Sequence, residues 1–345
     1  MQRIQRVDLG RFLAVVAIII LHVQPFRLIP PEQNTIFRAL DILLTNMARF
    51  AVPFFFVISG YFWGTGIRNG QSPIPFSLRK IRRIALVFLF WTVIYLIPYS
   101  RLNWGISFWD VICVTREYIN ELWHQPVVDI LVQGSSLHLW FLVALMCSMA
   151  ISALFISKKQ ERFLLLVSVA LYIVGVLAKS YLDTPVGLHI GFNTLYGPFF
   201  GTLFFVSGYF LSGYSPTEKW HEYGMIMFVL GSFVHFSEMI ILWRVFSNPP
   251  QHDYVFGTYF MGLGFSMFIL SGKPDIKENI FSKIGRLSLG IYTIHYVFVD
   301  LFSGMNQIAN NLALWHIGYV LIVFLLSTFL AYILSLNRFT RMFVA

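Results

Sequence analysis

Asp8, Arg11 and His22 are the residues of this chain best placed by type and spacing to do chemistry. They lie in DLGRFLAVVAIIILH, an otherwise apolar run that reads as a helix. At 3.6 residues per turn, the eleven-residue step from Arg11 to His22 is about three turns, so both share one face roughly 16 Å apart. Asp8, three residues before Arg11, joins that face. An imidazole serves as general base to a hydroxyl or as a relay for its proton. Ionisable groups are expensive inside a bilayer, so in a spanning helix they mark a functional site. The competing reading is an arginine snorkelling to headgroups and a buried histidine bonded to a neighbouring helix. Asp8 is expected to orient Arg11 or to stabilise it by pairing, being too far from His22 to complete a triad directly.

A second group is LRKIRR at 78–83, where Arg79, Lys80, Arg82 and Arg83 offer fork-shaped and point-charge donors suited to a phosphate-rich ligand. Such clusters at cytoplasmic helix ends are also an ordinary topology signal and bind anionic lipid. Arg49, in ARFAVPFFFVISG, lies inside an apolar stretch and is expected to face the bundle interior or a water-filled cavity. Pro53, four residues on, distorts that helix and frees a carbonyl. The structural alternative for Arg49 is pairing with a carboxylate such as Glu238. His138 in LHLWFL, His235 and Glu238 in one later stretch and His295 in SLGIYTIH complete the polar candidates, each also readable as a satisfied buried group. For Glu238, acceptor binding or charge pairing fits better than catalysis. Ser59 and Ser207, in two SGY segments, fit close helix packing better than nucleophilic attack.

The elements that must position these groups are membrane helices. Of 345 residues, 57% are hydrophobic and only 12% charged, far from the roughly 25% charged residues of soluble domains. Mean hydropathy is +0.70. The net charge of +9 is distributed as a topology signal, so nucleic-acid binding is set aside. Cys113 and Cys147 have neither metal-ligand nor CxxC spacing, and no metal site or bound cofactor is expected. The first helix follows Arg3 and Arg6 as a signal peptide would, yet no small-residue cleavage site follows His22, so it reads as a retained helix.

About ten apolar stretches approach the twenty residues needed to cross a bilayer, near 8–28, 40–63, 83–100, 137–156, 162–182, 194–213, 223–243, 254–271, 286–304 and 316–336. An even count puts both termini on one side. With that side cytoplasmic, seventeen of the 25 lysines and arginines fall on inner segments and six on outer ones, and Arg11 and Arg49 lie within helices. The expected fold is therefore all-α: a polytopic bundle of about ten transmembrane helices with both termini cytoplasmic, one membrane domain over 1–345. The longest connection, about 101–136, is external and carries Trp104, Trp109, Trp123 and His124. Residues 108–133 are expected to form a short amphipathic or re-entrant element along the membrane surface.

Taken in order, these residues resemble the acyltransferase-3 family of membrane O-acyltransferases. Arg11 and His22 match its arginine–ten residues–histidine pattern, and Arg79/Arg82, or Lys80/Arg83 in the shifted register, match its basic pair on the third helix. RFAVPFFFVISGYF at 49–62, HLWFL at 138–142 and SLGIYTIH at 288–295 extend the likeness over essentially the whole chain. The layout is similar to stand-alone members that acetylate bacterial surface glycans such as enterobacterial common antigen. The resemblance implies a multi-pass protein of the bacterial cytoplasmic membrane that moves an acyl group, normally acetyl, from cytoplasmic acyl-CoA to a hydroxyl of a surface glycan or lipid-linked sugar. His22 would be base or acyl relay, with Arg11 and Asp8 at the catalytic face. Arg79, Lys80, Arg82 and Arg83 would bind the donor, with Arg49, His138, Glu238 and His295 around the pocket. The rival function is a transporter or flippase for a polar glycolipid or anionic substrate, with the same buried groups binding or relaying protons.

Overall fold

The computed structural model describes residues 4–29, 35–102, 107–272, 276–309 and 312–344. Arg3 and Lys273 of the topology argument and Trp104 of the external connection lie outside the described residues. Every regular element among them is helical. In order these are α1 (Gln5–Val23), α2 (Thr35–Met47), α3 (Ala51–Arg68), α4 (Pro73–Ile94), α5 (Phe108–Trp123), α6 (Val127–Gln133), α7 (Trp140–Ser157) and α8 (Glu161–Leu177). They continue with α9 (Pro198–Leu211), α10 (Glu218–Phe246), α11 (Phe256–Leu270), α12 (Ile280–Gly285), α13 (Ser288–Leu301), α14 (Ser303–Ile308), α15 (Ala313–Leu336) and α16 (Arg338–Arg341). Among the described residues, five helical stretches are long and apolar enough to cross a bilayer: Thr35–Arg68, Pro73–Arg101, Leu137–Ser157, Glu218–Phe246 and Ala313–Leu336. Pro198–Leu211 and Phe256–Leu270 are shorter apolar helices.

Several boundaries differ from the sequence expectation for local reasons. Helix α1 stops at Val23, short of residue 28, because Gln24 precedes Pro25 and is excluded from the right-handed helical region. Gln24 takes the left-handed conformation (φ 48°) and returns its N–H to Ile20 O. His22 thereby falls in the last turn of α1. Pro53 lacks the N–H that would bond four residues back, and the stretch between α2 and α3 tightens into a 3₁₀ turn at Ala48–Phe50. Helix α4 begins at Pro73, in its first turn, where a proline costs no hydrogen bond. The 79–83 cluster is therefore part of a continuous helix and divides between its faces.

Helix α1 packs against α3, α11, α12, α13 and α15, so the stretch with the candidate chemistry is central to the bundle. Val15, Ile18 and Ile19 are buried there. A second apolar core joins α3, α7, α8 and α9. The two SGY segments meet where α3 crosses α9. A Cβ on Gly60 would stand 1.9 Å from Phe205 O, and one on Gly208 would stand 2.0 Å from Val57 O, so glycine alone permits this backbone approach. The long connection before α7 forms α5 and α6 and is tied down by a two-pronged pair from Arg101 to Glu121 (2.9 and 2.6 Å).

Candidate active site

Three histidines from distant parts of the chain converge. His22 comes from the end of α1, His138 from the turn before α7 and His295 from α13. Ring centroids of His22 and His295 are 4.9 Å apart, those of His138 and His295 5.3 Å, and those of His22 and His138 6.3 Å. His138 and His295 are buried, while His22 stays partly exposed. Tyr296 stacks on His138 with centroids 4.9 Å apart, and Tyr95 meets the same ring edge-on.

Hydrogen-bond partners assign the protons. His295 Nδ1 lies 2.6 Å from the Tyr292 carbonyl, which only accepts, so this nitrogen carries the hydrogen. In the neutral ring, Nε2 is then an acceptor, and it faces His22 Nδ1 at 3.1 Å. His22 Nδ1 also lies 2.9 Å from the Ile18 carbonyl, so it is the protonated nitrogen of His22. The lone pair of His22 is left on Nε2, the atom that can take a proton or attack a carbonyl. An imidazolium formed there would sit at a helix C-terminus, where the backbone dipole favours positive charge.

Beside this cluster lies a cavity of about 400 Å³ whose lining includes Arg11, Ile18, Ser59, Lys80, Arg83, Arg286 and Tyr292. Ile18 and Tyr292 connect it to the histidines, since their carbonyls orient His22 and His295. Four cations, from α1, α4 and the turn between α12 and α13, share its wall. Buried Asp8 holds two of them, with Arg11 Nη1 at 2.9 Å and Arg286 Nε at 3.6 Å. Arg286 also pairs with Glu278. The approach of α12 to α1 depends on Gly285, whose Cβ would fall 1.8 Å from Asp8 O. A second cavity, of about 230 Å³, lies on the other flank of the cluster, with Tyr95, Arg101, Tyr118, Gln125, Ser136, Tyr296 and Asp300 in its lining. Ser136 Oγ is 2.9 Å from His138 Nδ1, which ties this cavity to the histidines.

The sequence candidates divide accordingly. Arg11, Lys80 and Arg83 line the cationic cavity, and Asp8 positions Arg11 rather than reaching His22. Arg79 and Arg82 do not line it. They face an open groove with Arg83, Leu86 and Met342, because they occupy another side of α4. Arg49 pairs with Asp253 (3.1 Å), not with Glu238. Lys179 meets the same carboxylate at 3.2 Å. Burial alone would push the Asp253 carboxyl up, but these two cations outweigh it and hold it below the usual carboxylate range. Glu238 accepts from Tyr181 Oη (2.7 Å) and from the backbone N–H groups of Phe256 and Gly257 (3.1 and 2.5 Å). It thus satisfies the first donors of α11 and serves packing, not either cavity. His235 is buried between Thr258 and Asn46. Arg286 was missed by sequence reasoning, and its only signal was a position at the start of an apolar stretch. Among the described residues no group of three or more His, Cys, Asp or Glu is placed to hold a metal ion.

Comparison with known proteins adds a family. The profile of an acyltransferase domain, acyltransferase-3, matches residues 4–336. Two relatives from Enterococcus faecalis carry the name amino-acid racemase. One is 26% identical over 217 residues, covering 60% of this chain and 28% of the relative. The other is 22% identical over 362 residues, covering 98% of this chain and 47% of the relative. A serine/alanine racemase from Enterococcus gallinarum is 27% identical over 344 residues, 94% of this chain and 45% of its own. The chain therefore spans less than half the length of these curated relatives. No solved structure matches.

Proposed function

We propose, from the premise that this chain belongs to the acyltransferase-3 family, that it transfers an acyl group from a coenzyme A thioester to a hydroxyl, with His22 Nε2 at the reacting centre. The observation that carries the reading is the 3.1 Å contact of His295 Nε2 with His22 Nδ1, which together with the Ile18 and Tyr292 carbonyls supports one tautomer for a partly exposed histidine. In support, the adjoining cationic cavity has a lining suited to the phosphates of such a donor, with Arg11, Lys80, Arg83 and Arg286 as the binding groups. Its thioester would approach past Ile18 and Tyr292. The acceptor would occupy the second cavity, whose hydroxyl, amide and carboxylate lining suits a sugar.

In the direct route, the acceptor oxygen attacks the thioester carbonyl while its proton moves to His22 Nε2. The C–O bond forms, the C–S bond breaks, and the proton passes to the departing thiolate to give the thiol. In the two-step route, Nε2 attacks the thioester carbonyl, the C–N bond forms as the C–S bond breaks, and the thiolate departs. The acceptor oxygen then attacks the acyl-imidazolium, the C–N bond breaks to restore neutral His22, and the acceptor's proton passes to the thiolate to give the thiol. In both, His295 Nε2 stabilises the Nδ1–H of a cationic ring. Acetyl-CoA is the proposed donor and a glycan or lipid-linked sugar the proposed acceptor. The proposed setting is the bacterial cytoplasmic membrane, with about ten crossings and both termini cytoplasmic, supported by the charge asymmetry of the sequence.

Cavities on both flanks of the histidines favour a second reading, passage of a polar substrate through the bundle. Racemisation belongs by name to the longer relatives. One set of assays on purified, reconstituted protein separates the three: release of free coenzyme A with acylation of acceptor, uptake of acceptor without thioester cleavage, or interconversion of serine or alanine enantiomers. The first outcome is expected, and either of the others without thioester cleavage would overturn the transfer reading.

A further inference from the structure

Helix α4 presents two cationic faces with different surroundings. Successive residues turn by about 100°, so Lys80, Arg83, Ile84 and Val87 share a face, and these α4 residues line the cationic cavity. Arg79, Arg82 and Leu86 do not line that cavity but an open groove whose wall includes Met342, and Arg83, between the two faces, reaches both. The side of α4 carrying them continues as bare hydrocarbon: Leu86, Leu89 and Val93 are 50%, 58% and 63% exposed. Arg79 Nη2 donates to Gln71 Oε1 (2.8 Å), which steadies one guanidinium at the beginning of the helix.

A soluble phosphate would use the guanidinium groups and leave the apolar strip in water. A ligand with an anionic head and hydrocarbon tails uses both. We propose that Arg79 and Arg82 bind the phosphate of an anionic phospholipid whose chains lie along Leu86, Leu89 and Val93. Lys80, on the cavity face, belongs to a separate site. The 79–83 cluster then serves two ligands on two sides of one helix. Because lipid retention is read without any acyl donor, this assignment stands or falls independently of acyl transfer.

The test uses the purified full chain, delipidated in detergent and re-exposed to phosphatidylglycerol in a phosphatidylcholine background, with retained lipid measured by mass spectrometry. Arg79→Gln/Arg82→Gln is expected to lower phosphatidylglycerol retention about tenfold while coenzyme A affinity changes less than about twofold. Lys80→Gln is expected to do the reverse. Wild-type retention by the double variant, or a larger loss of coenzyme A than of lipid, would overturn the proposal. Competition by soluble glycerol phosphate at concentrations matching the lipid would also overturn it, by making the site one for free phosphate. Should the double variant misfold, Arg79→Gln and Arg82→Gln singly are each expected to cost about threefold, and no loss in either would count against the lipid.

Discussion

His295 Nε2 lies 3.1 Å from His22 Nδ1 and shares its one hydrogen with the Ile18 carbonyl at 2.9 Å, while the Nδ1–H of His295 is spent on the Tyr292 carbonyl. A backbone carbonyl and a neutral imidazole together thus do for His22 what a carboxylate does in many histidine-based sites: they fix the tautomer and orient the ring. His295→Ala should lower kcat by about ten- to a hundredfold, the cost of one hydrogen bond to a charged group, with little change in donor KM. His295→Gln, which can place an amide oxygen near the lost Nε2, should recover most of that loss. Equal damage from both variants would reduce His295 to packing.

The cavity cations are a separable binding function. Lys80→Gln and Arg83→Gln should each weaken coenzyme A binding by about 1.5–3 kcal/mol, measured by titration with the non-reactive thiol form. Arg286→Gln should do so too, although it shares Asp8 with Arg11. Asp8→Asn should act through both arginines and raise donor KM more than it lowers kcat. Unchanged donor affinity in all four would remove the cavity from donor binding.

How much of this was legible in the sequence follows from the range of each interaction. The candidacy of α1 was legible because ionisable residues in an apolar run are a local signal, whereas its packing against α3, α11, α12, α13 and α15 was not. The histidine cluster was legible only as separate candidates, since His22 and His295 are 273 positions apart and no periodicity links them. The partner of Arg49 was misjudged because Asp253 lies in the connection between α10 and α11, outside any apolar span. The division of the 79–83 cluster was within reach, since Pro73 marks a helix start and the 3.6-residue period separates Arg79 from Lys80. The ion pair of Asp8 with Arg286 depends on Gly285 letting α12 approach α1, which no local pattern announces.

The Arg49–Asp253–Lys179 group makes a prediction with a definite sign. A carboxylate whose folded pKa is depressed stabilises the fold above its unfolded value, about 3.9, and loses that contribution as pH falls through the lower folded value. Asp253→Asn should therefore destabilise the purified protein at neutral pH, by about 1–2 kcal/mol for a partly exposed pair. The difference in thermal stability from wild type should shrink as pH drops below about 4. A difference that stays constant to lower pH would show that the pairing contributes nothing.

Gly60 and Gly208 hold α3 against α9, so their replacement is a packing test. Gly60→Ala puts a methyl where Phe205 O stands and should cost about 1–3 kcal/mol of stability, with Gly208→Ala similar. Ser207, next to Gly208, bonds back to Leu203 O at 2.8 Å, so Ser207→Ala should be mild by comparison. Thermal melts of the three variants decide it, and a Gly60→Ala protein as stable as wild type would contradict the close helix contact.

The most direct measurement is transfer of label from [acetyl-labelled] acetyl-CoA to a lipid-linked glycan by reconstituted wild-type protein and by His22→Ala, with folding of the variant verified by its thermal melt. Wild type should transfer the label, and His22→Ala should be slower by about a hundredfold or more, the usual contribution of a general base. Undiminished transfer by a folded His22→Ala protein would contradict the assignment of His22 Nε2 to the reacting centre.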